Sequence, residues 1–160
     1  MMATCVPREI VVIGGGMVGM SIAHQLKEKL PNMNITILEK EINVGMHSSG
    51  RNSGVLHAGI YYKPNTLKAK VCVDGARRLK QFCQFNNLEI YNCGKLIVPQ
   101  SKNLDTQLDV LFERGIRNGA RVEFITEKEL SKKATDAKSS SQRALWSPNT
   151  SVVNPKEVIA

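Results

Sequence analysis

The chain has 160 residues, 42% of them hydrophobic and 22% charged, a length and composition that suit one globular domain with a packed core. Its net charge of +8 is spread thinly, with five basic against four acidic residues in 1–60 and seventeen against ten in 61–160. No basic run exceeds the pairs Arg77-Arg78 and Lys132-Lys133, and no aromatic-rich or zinc-ligand module accompanies the charge, so nucleic acid is excluded as the expected partner.

Glu9-Ile10-Val11-Val12-Ile13 is a β-branched run of the kind found in buried parallel strands. The apolar stretch from Ile10 to Met20 is too short to cross a bilayer and is interrupted by glycines. Only nine residues precede it, without a basic cluster, which makes it a poor secretory signal. After Gly14-Gly15-Gly16, helical spacing runs from Met17 to Leu30, with Val18, Ile22, Leu26 and Leu30 apolar, and Pro31-Asn32 stops it. Ile35 to Leu38 is a second buried strand, closed by Glu39. Strand, helix and strand in about 30 residues make a right-handed parallel crossover.

The segment 47–62, HSSGRNSGVLHAGIYY, is too polar for a core strand and too rich in glycine for a stable helix. Beyond it, Asn65 or Thr66 caps a long helix reaching about Phe85, with Cys72, Ala76, Leu79 and Cys83 as its buried stripe. A strand is expected over Gly94 to Val98, and a helix over Asn103 to Arg117 that turns Leu104, Leu108, Leu111 and Phe112 inward and stops at Asn118-Gly119. Val122 to Ile125 is another strand, and Thr126 with Glu129 carries the capping-box pattern of a further helix. Lys132 to Arg143 is serine-rich and reads as a mobile surface loop. Ala144-Leu145-Trp146 and Val152-Val153 read as short strands around a turn. Asn154-Pro155 opens a new helix that the sequence leaves after one turn, so the chain is read as the N-terminal part of a longer protein.

The cysteines Cys5, Cys72, Cys83 and Cys93 form no CxxC pair and no metal-ligand spacing. Cys72 and Cys83 share one helix about 16 Å apart, beyond disulfide reach. Free intracellular thiols and no metal centre are expected.

Gly14, Gly16 and Gly19 satisfy G-x-G-x-x-G. The first suits the turn from strand to helix, the second the close approach of a pyrophosphate, and the third the packing of helix on strand. With a strand before, a helix after, and Glu39 twenty residues beyond Gly19, the pattern points to an adenine dinucleotide. Its phosphates would lie at the helix N-terminus and its ribose hydroxyls on Glu39. These residues leave NAD and FAD open. The segment that follows bears on the choice, because a glycine- and serine-rich stretch offers many backbone donors to a cofactor whose second half lies along the chain.

GGGMVG, LEKE and HSSGRNSGVLHAGIYYKPNTLKAKVC, followed by CGKLIV, resemble the FAD-dependent oxidoreductases of the D-amino-acid oxidase type, and within them the L-2-hydroxyglutarate dehydrogenase/oxidase group. LWSPNTSVVNPKEV is similar to a segment of that group in which a glycine, an acidic residue and an aromatic are more usual. Ser48-Ser49 and Arg51 stand where Gln-Thr and His are common. The resemblance implies an α/β fold: a Rossmann-like FAD-binding βαβ domain in residues 1–92, and the start of a smaller α+β substrate domain in residues 93–160.

It also implies roles. Gly14, Gly16, Gly19, Glu39 and Lys40 would hold the ADP half of FAD, and Ser48 and Ser49 would face the phosphates. Asn52, Ser53 and Gly54 would run beside the ribityl chain and ring. Arg51 or His57 would supply positive charge to reduced flavin, and His57 is the candidate catalytic base. The bland readings are a backbone-bonded loop histidine for His57, structural or exposed roles for His24 and His47, and packing for Tyr61 and Tyr62. Lys63 and Lys68 read as solvated lysines and Trp146 as sheet packing. The implied activity is oxidation of L-2-hydroxyglutarate to 2-oxoglutarate. Its rivals are the same fold acting on glycerol 3-phosphate or an amino acid, and an inactive nucleotide-binding fragment. The expected partners are a small anionic hydroxy acid and an unnamed electron acceptor. The location would be mitochondrial in a eukaryote, and cytoplasmic or peripheral to the inner membrane in a bacterium.

Overall fold

The computed structural model describes residues 9–160, so Cys5 lies outside the described residues. Strand β1 (Glu9–Ile13), helix α1 (Met17–Lys29) and strand β2 (Asn34–Leu38) follow the expected order. β1 and β2 pair in parallel, with Ile10 opposite Ile35 and Val12 opposite Ile37. The Gly14 N–H donates to the Leu38 carbonyl at 2.7 Å and extends the pairing into the turn. The fold is α/β and Rossmann-like in this portion.

One expectation changes here. The two strands are not buried on both faces: Ile10, Val12, Ile35 and Ile37 are half-buried, whereas Val11, Ile13 and Leu38 are 51%, 87% and 54% exposed. Among the described residues the sheet has two strands, and α1 lies on the Val12 side. Within this chain α1 covers one face of the pair, and the face carrying Val11 and Ile13 is exposed.

The chain continues through β3 (Val55–Leu56), α2 (Leu67–Phe85), β4 (Ile90–Tyr91) and β5 (Lys95–Ile97). Thr66 caps α2 by accepting the Ala69 N–H on its hydroxyl, as its residue type and position predict. Ala69 and Cys83 are buried on α2, and Cys72, Ala76 and Leu79 are half-buried along the same helix. Burial pushes the Cys72 and Cys83 thiols up, which keeps them protonated, and Cys72, Cys83 and Cys93 are all free.

A 3-10 turn at Lys102–Leu104 leads into α3 (Asp105–Arg117), then β6 (Glu123–Thr126), α4 (Glu127–Lys133), β7 (Arg143–Ser147), β8 (Ser151–Val153) and α5 (Pro155–Ile159). The Thr126–Glu129 capping box at the start of α4 is fully formed. β7 is the centre of the antiparallel sheet β5-β7-β6, and β8 is the centre of a second antiparallel sheet, β3-β8-β4. The two segments expected as a pair around a turn thus part into different sheets. Each finds partners on both its edges, which a hairpin would not supply.

The core of this region gathers Ile60, Ala120 and Val122 with Leu111 and Phe112, and separately Ile125, Leu130 and Ala144 with Leu96 and Trp146. Arg143 binds Asp105 at 2.6 Å and Asp109 at 2.9 Å, tying β7 to α3. The serine-rich loop before β7 is pinned. Ser139, 9% exposed, donates its hydroxyl to the Arg143 carbonyl at 2.6 Å, and Ser140 donates to the Pro99 carbonyl at 3.0 Å. Its serines serve as hydrogen-bond partners for backbone, which composition alone reads as mobility.

Among the described residues two compact units emerge, 9–53 with 154–160, and Gly54–Val153. They part elsewhere than at 92/93. The pairing of β3 and β4 with β8 draws residues 54–92 into the second unit, and α5 belongs to the first. Among the described residues no helix is long and apolar enough to cross a membrane, and no cluster of His, Cys, Asp and Glu is arranged to hold a metal ion.

Candidate functional site

In the first unit the site is built on the turn between β1 and α1. Gly14 has φ of +103°, a conformation that side chains resist, and it makes the sharp exit from β1. A Cβ at Gly19 would sit 2.0 Å from the Gly14 carbonyl oxygen, so this glycine sets how closely α1 returns to the turn. Gly16 is the N-cap of α1, contributes no side-chain cap, and is followed by a first turn without acidic residues. The helix therefore begins without a cap or an acidic residue of its own to answer its positive end.

Glu39, just past β2, closes the other side of the turn. Its Oε2 accepts the Gly15 N–H at 2.6 Å and its Oε1 accepts the Glu41 N–H at 3.1 Å. These backbone donors, that of Glu41 first and that of Gly15 next, hold the carboxyl below the usual carboxylate range. It is a fixed anion at neutral pH, suited to accept hydrogen bonds from hydroxyl groups.

The glycine- and serine-rich segment folds back over this turn. The Gly45 N–H donates to the Gly15 carbonyl at 2.9 Å, and the Ser49 hydroxyl accepts the Met17 N–H at 3.0 Å, at the N-terminus of α1. Asn52 donates to the carbonyls of Ser48 and Ser49 at 3.1 and 2.8 Å and braces the loop from behind. α5 supports it: a Cβ at Gly45 would meet Ile159 Cδ1 at 2.9 Å, and one at Gly50 would come 3.7 Å from Lys156 Cγ.

Of the residues named from the sequence, Gly14, Gly16, Gly19, Glu39 and Ser49 thus converge on one turn. Ser48, Arg51, Asn52 and Ser53 are exposed, and among the described residues no carboxylate pairs with Arg51. Lys40 is 76% exposed, its ammonium 3.4 Å from Glu41. Gly15 was missed. A Cβ there would lie 2.9 Å from Val44 and 3.1 Å from Glu39 Oε2, so the carboxylate reaches the backbone only because this residue too is glycine. The unbroken triple glycine was the available signal.

In the second unit Gly54 is buried ahead of β3, and His57 follows that strand. The imidazole is half-buried and stands edge-on to Tyr61, with ring centroids 6.1 Å apart. The backbone carbonyl of His57 accepts the Cys72 thiol at 3.3 Å. Burial, and then the positive charge of Lys95, push the imidazole pKa down, so the ring is neutral at physiological pH and able to accept a proton. Lys95 was missed by sequence reasoning. Its ammonium lies 4.5 Å from the centroid of the Tyr61 ring. Lys68 sits over Tyr62 at 5.4 Å, so each of the two tyrosine rings carries a lysine. His24 and His47 are 54% and 61% exposed beside Glu28 and Glu41, as expected of surface histidines.

Comparison with known proteins bears on both units. Over 151 residues the chain is 39% identical to human mitochondrial L-2-hydroxyglutarate dehydrogenase, covering 94% of this chain and 32% of that protein. It is 38% identical over 152 residues to the Escherichia coli L-2-hydroxyglutarate dehydrogenase, covering 95% of this chain and 36% of that one. The chain thus spans about a third of the length of the curated relatives it matches. Among solved structures, dithionite-reduced L-α-glycerophosphate oxidase from Mycoplasma pneumoniae with FAD bound superposes with a TM-score of 0.84 at 25% identity, over 95% of this chain and 40% of that one. Glycine oxidase from Bacillus cereus shares the fold at a TM-score of 0.74 and 21% identity. The model of the DAO family, FAD dependent oxidoreductases, matches residues 9–160, and the chain belongs to that family.

Proposed function

We propose that this chain carries the FAD-binding turn and a proton-accepting histidine of an enzyme that oxidises L-2-hydroxyglutarate to 2-oxoglutarate. The observation that carries the reading is the glycine turn closed by Glu39 and Ser49. It offers a fixed carboxylate to ribose hydroxyls, and to phosphate the N-terminus of α1 with the Ser49 hydroxyl, which packs close because Gly16 has no Cβ. These groups fit an adenine dinucleotide. The substrate follows from the relatives named L-2-hydroxyglutarate dehydrogenase, at 38–39% identity.

When bound, FAD supplies the acceptor for the hydride that leaves C2 of the hydroxy acid. The chain's own residues do the rest. Glu39 anchors the ribose, while the N-terminus of α1 with Ser48 and Ser49 holds the phosphates. Asn52, Ser53 and Gly54 line the remaining half, and Arg51 provides positive charge there. His57, kept neutral by burial and by Lys95, takes the hydroxyl proton of the substrate as the C2 carbonyl forms. The relatives named as mitochondrial support a mitochondrial location if the source is eukaryotic.

The test uses the flavin-loaded protein and anaerobic stopped-flow spectroscopy. L-2-hydroxyglutarate should bleach the oxidised flavin band. His57→Ala should retain FAD and slow bleaching by roughly 10²- to 10⁴-fold, the usual size of a general-base contribution. Bleaching of the variant at the wild-type rate would remove His57 from the mechanism. A wild-type protein bleached by glycerol 3-phosphate and not by the hydroxy acid would move the substrate to the class named by the Mycoplasma neighbour.

A further inference from the structure

Lys95 is a cation of the second unit that no carboxylate among the described residues matches. It stands on β5, the edge strand beside β7, and is half-buried. Elsewhere in this unit Arg143 is matched by Asp105 and Asp109, Arg77 and Arg78 share Asp74, and the half-buried Lys80 donates to the Asn149 carbonyl at 2.7 Å. No carboxylate among the described residues lies within ion-pair distance of Lys95. Its ammonium is instead held 4.5 Å from the centroid of the Tyr61 ring, and the same ring stands edge-on to His57. Arg114 adds a second cation nearby, its Nη1 donating to the Tyr61 carbonyl at 3.4 Å. A half-buried ammonium loses hydration that a ring face replaces only in part. Tyr61 itself is 40% exposed, so the patch opens to solvent and to a ligand.

We infer that Lys95, set on the Tyr61 ring beside His57, binds a carboxylate of the small 2-hydroxy or 2-oxo acid that the enzyme handles. The inference rests on the proposed function and deepens it, because it assigns the anion-binding residue next to the proton acceptor. A carboxylate on Lys95 places negative charge by the imidazole. Bound substrate then raises the proton affinity of His57 at the moment a proton must be taken, whereas in the free protein burial, and after it Lys95, holds the imidazole pKa down. One lysine thus binds the anion and sets the state of the base.

The experiment follows the His57 imidazole by NMR in the flavin-loaded protein, with the resonance assigned through His57→Asn and with acetate and 2-oxoglutarate as probes. In the wild type both probes should shift the His57 signal. Lys95→Met, which keeps the aliphatic stem over Tyr61, should raise the pKa of free His57, weaken 2-oxoglutarate binding by about tenfold to a hundredfold, and raise the KM for L-2-hydroxyglutarate with a smaller change in kcat. Lys95→Arg should restore binding to within a few-fold. Unchanged 2-oxoglutarate affinity in Lys95→Met, or a wild-type His57 signal that neither carboxylate moves, would overturn the assignment. If carboxylates shift His57 in a Lys95-dependent way while L-2-hydroxyglutarate fails to bleach the flavin, the Lys95 site stands and the substrate reading falls.

Discussion

Alanine at Gly19 isolates the packing role of the third motif glycine. The added Cβ would stand 2.0 Å from the Gly14 oxygen, 3.2 Å from the Gly14 carbonyl carbon and 3.4 Å from Val12 Cγ1. Ordinary contact begins near 3.4 Å, so α1 would have to withdraw from the turn by about 1.4 Å, or the turn would have to open. The obstacle is backbone and has no rotamer to change, which puts the cost at the upper end of overpacking, about 3 kcal/mol. Alanine returns roughly 0.5–1 kcal/mol of helix propensity, leaving a net loss of about 2 kcal/mol. Gly75 is the control: it lies in the exposed interior of α2 with nothing within 4 Å of its built Cβ. Gly75→Ala should therefore show the propensity gain alone. At about 2–4 °C per kcal/mol for a chain of this size, Gly19→Ala should lower Tm by roughly 4–8 °C and Gly75→Ala should raise it slightly. Thermal unfolding of each variant against the wild type, with urea unfolding to check that the m-value is unchanged, reads both signs. A Gly19→Ala protein as stable as the wild type would refute the packing argument for this glycine.

Two further expectations concern charge. Glu39→Ala should weaken FAD binding by about tenfold to a hundredfold with the fold retained. Because backbone donors depress the folded carboxyl, the Glu39 contribution should be fully present above the ordinary carboxylate range and fade only as pH falls through its lowered pKa; fluorescence titration of apoprotein with FAD at neutral and acid pH checks both. Arg143→Met should lower Tm by roughly 2–4 °C, the upper range for a partly exposed ion-pair network. Arg143 holds the Asp105 carboxyl below its ordinary value, so the gap to wild type should close as acid protonates Asp105, and a gap that persists there would assign the effect to packing.

What the sequence showed clearly was local. The turn at Gly14, the Thr66 cap and the Thr126–Glu129 capping box each depend on residues within a few positions of one another, and the structure keeps them all. What it hid was pairing at a distance. Val55-Leu56 and Ile90-Tyr91 are strands of two residues, too short to show alternation, and they become strands only because β8 lies between them. Ala144-Leu145-Trp146 and Val152-Val153 suggested a hairpin through their nearness in the chain, yet the edges of β7 were already claimed by β5 and β6. Trp146 does pack on the sheet, against Gly94, where a Cβ would fall 2.0 Å from its ring.

The role of His57 follows the same division. Read as a residue type after a glycine- and serine-rich run, it suits a base and a cation equally well. The choice depends on two things the local sequence does not carry, how far the ring is buried and which charge faces it. Half-burial disfavours the imidazolium, and Lys95, brought near from β5, disfavours it further. Both act in one direction, so the free protein presents a neutral ring that can accept a proton. Under the proposed function the positive charge beside the flavin is then assigned to Arg51, which is exposed beside Asn52 in the first unit.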